Sequence, residues 1–260
     1  MRRLKSDGYA NNVLLQTRMT LDTIAVLLVG GAGTRLRSVV SSLPKPMAPV
    51  GSRPFLELLV RQLRHHGIRR VVMCTGYLAD QIENEFGDGH NLDVKITYSR
   101  ELLPMGTAGA VKLAQTCLRD ATDFFVMNGD SFLEVDFRQF LRFHREHCGL
   151  ASMAVSRVPN AHRYGTVRVD PTGRVSGFAE KTGSEVAGLV NAGVYVFDRS
   201  VLEYIPEGAG SLERDVFPQL LGRGMYAMEQ HGLFIDIGTP EDYARAQAIC
   251  DRLCDVALDR

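Results

Sequence analysis

The sequence predicts an α/β protein built on a doubly wound, mostly parallel sheet, with a small mixed or antiparallel subregion in its second half. Three observations carry that expectation. A buried apolar strand, Ile24 to Val29, runs straight into a glycine-rich loop; strand and helix patterns then alternate as far as about residue 150; beyond it the texture changes to short strands separated by turns.

Composition sets the outer bounds. The chain has 260 residues, 45% hydrophobic and 23% charged, which is ordinary for a folded globular protein and sufficient for a full core. Lys plus Arg number 30 and Asp plus Glu number 30, so no global positive field draws the chain onto nucleic acid or an anionic membrane, and any bound anion needs a local site. The longest apolar run, Ile24 to Val29, falls far short of the roughly 20 residues of a membrane-spanning helix. Basic Arg2, Arg3 and Lys5 lead into polar Ser6 to Asn12 rather than into the apolar stretch of a secretory signal. The cysteines, Cys74, Cys117, Cys148, Cys250 and Cys254, form an odd set without paired spacing. The expectation is a cytoplasmic protein whose cysteines are mostly small core residues.

Along the chain, residues 1–20 show neither strand alternation nor a helical stripe and read as an N-terminal extension to a single domain over residues 21–260. After the first strand, an amphipathic helix is expected around Phe55 to His66, then strands at Val71 to Thr75, Val94 to Tyr98 and Phe124 to Met127, with helices at Leu78 to Phe86 and Ala108 to Leu118. Shorter strand signals follow at Ala151 to Val155, Gly165 to Val169, Val175 to Glu180 and Gly193 to Phe197, and Asp170-Pro171-Thr172-Gly173 reads as a hairpin turn. Near the end, Thr239 is a candidate helix cap, with Pro240 at the first helical position and acidic Glu241 and Asp242 in the first turn.

The loop Leu28-Val29-Gly30-Gly31-Ala32-Gly33-Thr34-Arg35-Leu36 follows the first strand directly, where open α/β sheets bind ligands. Its glycines let backbone amides approach a phosphate closely. It is neither a dinucleotide fingerprint, because the spacing from Gly31 ends on Leu36, nor a P-loop, because no Gly-Lys-Ser/Thr follows. Arg35 sits just beyond the glycines, and Lys45 follows between Pro44 and Pro46, which stiffen its loop. Taken alone, the glycines fit an ordinary tight turn equally well; the two cations at this spacing favour an anion site.

Gly-Gly-x-Gly-Thr-Arg-Leu followed by Pro-Lys-Pro resembles the signature of the sugar-1-phosphate nucleotidyltransferases, or NDP-sugar pyrophosphorylases, over residues 23–250. Within that family, Arg37-Ser38-Val39-Val40 and Pro44 to Val50 are most similar to the D-glycero-D-manno-heptose 1-phosphate guanylyltransferases. Val29 departs from the alanine usual there. The resemblance implies a Rossmann-like sheet with a sugar-binding subregion, and transfer of GMP from GTP to a sugar 1-phosphate, releasing pyrophosphate.

The resemblance also implies roles for particular residues. Arg35 and Lys45 would be catalytic, and Leu28, Gly30, Gly31, Gly33, Thr34, Gly106, Thr107 and Asp130 would bind the nucleotide. Glu101 follows a strand expected to end on this edge and could accept hydrogen bonds from the ring N–H and amino group of guanine, a donor pair that uracil and thymine lack. A solvated Glu101 at a helix entry is the alternative. Asp130, after the strand Phe124 to Met127, and Asp236, after Phe234-Ile235, are implied ligands of Mg²⁺, although strand-end aspartates taken singly suit a cap or turn equally. Tyr164, Gly165, Glu180, Lys181, Asn191 and Glu213 are implied to face the sugar phosphate. His144, His147 and Cys148 share one helical segment but lack the second ligand group of a zinc site. Three readings stay open beside heptose: a mannose-1-phosphate guanylyltransferase, an enzyme using dTTP, UTP or CTP, and a non-catalytic regulator that binds nucleotide sugars. The expected partners are a nucleoside triphosphate, with GTP favoured, and a sugar 1-phosphate; neither nucleic acid nor membrane is expected, and the sequence leaves room for a homo-oligomer.

Overall fold

The computed structural model describes residues 21–161, 165–179 and 187–258. The proposed extension, residues 1–20, and the candidate site residues Tyr164, Glu180 and Lys181 lie outside them. The chain opens with β1 (Leu21–Leu28), whose apolar side chains alternate between the two sheet faces. Ala25 and Leu27 enter one hydrophobic cluster, whereas Ile24 and Val26 enter another. The same split recurs in β6 (Asp123–Asn128), where Phe125 and Met127 face one side and Phe124 and Val126 the other. A strand apolar on both faces must be covered on both, and that requirement produces the doubly wound arrangement.

One cover consists of α1 (Phe55–His65), α2 (Ala79–Phe86), α4 (Phe137–His147) and the terminal α7 (Cys250–Leu258). On the other side lie α3 (Gly106–Leu113) and a segment ending in the short α5 (Phe217–Leu220). Between them β4 (Ile68–Thr75), β5 (Lys95–Arg100), β1 and β6 pair in parallel, in the order β5, β4, β1, β6. The chain builds outward from β1 to β4 and β5, then returns to place β6 on the opposite flank of β1. That reversal parts the loops leaving β1 and β6 and opens a crevice at their carboxyl ends.

The second half continues the same sheet. β11 (Gly188–Asp198) runs antiparallel to β6 and to β8 (Ala151–Val158), and β12 (Met225–Gln230) joins β8 in parallel. β9 (Thr166–Val169) and β10 (Val175–Ala179) form the expected hairpin; at its turn Asp170 O accepts from Gly173 N at 3.0 Å and Asp170 Oδ1 from Thr172 N at 2.8 Å. β11 starts five residues before the expected Gly193 because its first half pairs with β8 and β9, and a register shift lies between Asn191 and Tyr195. The helix expected over Ala108 to Leu118 is regular only to Leu113, and its last residues tighten into 3₁₀ turns.

Three small pieces position the site. A 3₁₀ turn, Lys45–Met47, leads into a hairpin of β2 (Pro49–Val50) and β3 (Arg53–Pro54). β7 (Ser131–Leu133) pairs antiparallel with β13 (Phe234–Asp236), setting Ser131 opposite Asp236. Thr239 caps α6 (Pro240–Ala248) by accepting from Asp242 N at 3.3 Å. From α6, Tyr243 Oη and Gln247 Nε2 both donate to Pro49 O, at 2.6 and 2.5 Å. One helix thereby ties the chain after Asp236 to the chain after Lys45. Among the described residues, no helix is long and apolar enough to cross a membrane.

His144 lies buried under β8, with Nδ1 2.9 Å from Ser152 Oγ. Burial is the main influence that holds its imidazole below the ordinary 6.5. The unfolded chain takes up a proton near that value and the folded chain resists it, so this residue adds stability as pH rises and loses it as pH falls below about 6.5. Between pH 5 and pH 7 in urea denaturation, the change in stability should be more favourable for wild type than for His144→Gln; equal changes would exclude His144 as a contributor.

Candidate active site

The crevice is a cavity of about 640 Å³ above the ends of β1, β4 and β6. It gathers Leu28, Gly30, Gly31, Gly33, Thr34, Arg35, Lys45, Glu101, Gly106, Thr107 and Asp130, residues the sequence singled out from four separate segments. The glycine loop is pinned at its base, where Val29 N donates to Cys74 O at 3.1 Å and Tyr77 N to Gly30 O at 3.0 Å. Gly33 has φ 56°, and a Cβ there would stand 2.6 Å from Lys45 Cβ. Only glycine lets this loop close over the lysine. Arg35 is exposed at the rim and forms no ion pair among the described residues.

Lys45 is 9% exposed, with Nζ 2.5 Å from Asp130 Oδ2. Ser131 Oγ spans the two carboxylates, 3.3 Å from Asp130 Oδ1 and 3.2 Å from Asp236 Oδ2, and Gly238 N donates to Asp236 Oδ1 at 2.5 Å. Burial, and after it the charge of Asp130, pushes the Asp236 carboxyl above its ordinary range, with Lys45 opposing. Two carboxylates 106 positions apart in sequence thus converge with one ammonium. As a donor set, hard oxygens with a serine hydroxyl between them fit Mg²⁺, which takes one or two carboxylates and fills its shell from water and phosphate.

On the opposite wall, Glu101 Oε2 accepts from Met105 N at 3.1 Å. This holds the loop that opens α3. Burial pushes the Glu101 carboxyl above its usual range, and Oε1 lies against Gly30 and Gly76, within 2.8 and 2.5 Å of where their Cβ atoms would stand. Leu102, 93% exposed, and Leu103, 75% exposed, form an apolar rim beside it. Cys74 is on the cavity floor, its thiol kept protonated chiefly by burial and donating to Ala110 O at 3.5 Å, so it is no nucleophile.

Asn191 and Glu213 join the cavity indirectly. Glu213 Oε2 accepts from Thr107 Oγ1 at 3.1 Å and from Ser211 Oγ at 2.8 Å, while Thr107 Oγ1 itself accepts from Leu212 N at 2.8 Å. The fully buried Tyr195 hydroxyl accepts from Asn191 Nδ2 at 2.7 Å, with the Glu213 carboxylate close enough to act on it by charge. Burial, then the Glu213 charge, keeps that phenol protonated and therefore a donor. Gly165, in the segment leading into β9, is not part of the cavity lining among the described residues. Sequence reasoning passed over Asn128, Ser131, Tyr195 and Gly238. The available signal was position: each adjoins or shares a motif with a residue that was singled out.

The nucleotidyl transferase family model matches residues 24–252, and the chain belongs to that family. It is 41% identical over 228 residues to a mannose-1-phosphate guanylyltransferase of Mycobacterium tuberculosis, covering 86% of this chain and 63% of that one. It is 38% identical to mannose-1-phosphate guanylyltransferase 1 of Arabidopsis thaliana, covering 84% and 62%. The chain therefore spans less than two thirds of the length of these curated relatives. The crystal structure of HddC from Yersinia pseudotuberculosis complexed with GMP-PN superposes with a TM-score of 0.78 at 32% identity, covering 87% of this chain and 98% of that one.

Tyr195→Phe would leave the Asn191 side-chain amide without its acceptor. Because that amide is half-buried, the change should cost about 1–3 kcal/mol in urea unfolding; an unchanged midpoint would show that the hydroxyl gives the amide no support.

Proposed function

We propose that this protein transfers GMP from GTP to a manno-configured sugar 1-phosphate, yielding a GDP-sugar and pyrophosphate. The observation that carries the reading is the meeting, at the sheet's switch point, of the glycine loop and Lys45 with the Asp130–Asp236 carboxylate pair. A guanine nucleotide is supported by the names of the curated relatives and by GMP-PN in the HddC structure. For the sugar, the relatives' names favour mannose, whereas the resemblance of residues 37–50 favours the D-glycero-D-manno heptose. Both present manno stereochemistry to the site.

In the reaction a sugar-phosphate oxygen attacks the α-phosphorus in line; the new P–O bond forms as the bond to pyrophosphate breaks. A phosphate monoester is already ionised at neutral pH, so no general base and no covalent nucleophile are required. The protein's work is then positioning and charge stabilisation. Amides of the glycine loop and Arg35 would hold the triphosphate, and Lys45 would offset negative charge at the reacting phosphorus. Asp130 and Asp236 would hold Mg²⁺, which supplies further charge neutralisation when bound. Lys181 is assigned to the sugar phosphate, with Tyr164, Gly165, Glu180, Asn191 and Glu213 on the sugar side.

Pyrophosphate release with Mg²⁺ should be measured for GTP, CTP, UTP, dTTP and ATP against mannose, heptose and glucose 1-phosphates. Activity confined to GTP with a manno sugar is expected; turnover with another pair corrects the pocket assignment, and silence with GTP bound favours a binding protein. Lys45→Ala should lower kcat by about 10²–10³-fold in a chain that still folds, and near-wild-type turnover would remove Lys45 from the mechanism.

A further inference from the structure

Asn128 ends β6, in register with Leu28 of β1 and one position beyond the pairing of Met127 with Val194 of β11. It therefore stands between the nucleotide loop and the strand that carries Asn191, and it lines the cavity. Its Oδ1 is buried and has no hydrogen-bond partner among the described residues. Gln62, Gln81 and Gln230 also carry a buried unpartnered atom, but none of them lines this cavity. A buried acceptor left unpaired is costly, and such groups are normally satisfied.

The amide is held in place. Gly193 has φ 75°, and a Cβ there would stand 2.9 Å from Asn128 Nδ2 and 3.1 Å from its Cγ, so the side chain lies close against the bend of β11. The same glycine donates from its N–H to Asn191 Oδ1 at 3.0 Å. Two asparagines thus flank one glycine at the seam between the two halves of the site. Phosphate oxygens carry no donor for Oδ1, and the base is expected against Glu101, on the far side of β1 and β4 from β6. The substrate donors that remain are hydroxyls. A hydroxyl also both donates and accepts, so it suits either end of the amide.

We propose that Asn128 is a substrate-binding residue whose side-chain amide receives a hydroxyl, from either the ribose of the nucleotide or the sugar of the second substrate. The proposal rests on the reaction argued above, and its test separates the two.

Calorimetry with GTP, 2′-deoxy-GTP and 3′-deoxy-GTP, together with the KM for the sugar 1-phosphate, is compared between wild type and Asn128→Leu. If the hydroxyl is on the ribose, the variant binds GTP about tenfold more weakly and loses its discrimination against one deoxynucleotide. If it is on the sugar, GTP binding stays within twofold and the KM for the sugar phosphate rises about tenfold. In either case the Tm of the free variant should equal or exceed that of wild type, because an unpaired acceptor has been replaced by an apolar group of similar size. Both arms within twofold of wild type would overturn the proposal, as would a fall in Tm without a change in either arm. Should leucine crowd Gly193 and prevent folding, Asn128→Ala is read in the same two arms. Nucleotide binding needs no turnover, so a wild type that binds GTP yet releases no pyrophosphate defeats the reaction and leaves the ribose arm legible. A chain that binds none of the five triphosphates overturns both.

Discussion

The arrangement of the site turns on one electrostatic problem: two carboxylates, Asp130 and Asp236, held close together with a single ammonium, Lys45, to offset them. Like charges in a half-buried site repel, and the raised Asp236 carboxyl records that repulsion on top of burial. The surrounding fold supplies the restraint. The β7–β13 ladder fixes both carboxylates to one short piece of sheet, and Ile237 N adds a bond to Asp130 O at 2.9 Å. α6, capped directly after Asp236, grips the β2–β3 hairpin that follows Lys45. Gly33 then closes the glycine loop against the lysine from above. Breaking any of these restraints would let the like charges move apart, so the geometry belongs to the tertiary structure and to no single loop.

A second chain of contacts runs from α3 to β11. Thr107 at the start of α3 hydrogen-bonds Glu213, the Glu213 charge acts on the neighbouring Tyr195 phenol, and Tyr195 hydrogen-bonds Asn191 on the bend of β11. Backbone bonds reinforce its first link, since Ala108 N donates to Gly210 O and Gly210 N to Met105 O, each at 2.9 Å. The loop that would face the nucleotide and the strand that would face the sugar are therefore linked through neighbouring polar groups. Buried polar networks of this kind specify a single arrangement only when every member is satisfied.

The central sheet was legible because buried parallel strands are continuous apolar runs, and Ile24 to Val29 and Phe124 to Met127 are such runs. The glycine loop and Lys45 were legible because unusual residues cluster locally. The start of β11 was hidden by Asn191 and Gly193, which interrupt an apolar pattern where the strand bends. The link between Asp130 and Ser131 on one side and Asp236 on the other was invisible to spacing, because it is made by strand pairing across more than a hundred residues. Glu213 illustrates the same limit: spacing gives no sign that its carboxylate meets Thr107, 106 positions earlier, as well as the nearby Ser211.

Charge within the cavity explains why a cation fits the proposed chemistry. Arg35 and Lys45 bring two positive charges to the lining, and Glu101 and Asp130 bring two negative ones, with Asp236 adjoining. Such a lining is close to neutral or slightly negative, a poor match by itself for a triphosphate and a sugar phosphate together. A divalent cation on the Asp130–Asp236 pair would reverse that balance at the place where the two anions of the proposed reaction would meet. It would also relieve the repulsion that raises the Asp236 carboxyl, since both carboxylates are favoured in their charged form beside a cation. Carboxylates that would oppose phosphate binding without a cation would thus favour it with one, which would couple nucleotide affinity to metal through the geometry of a single short ladder.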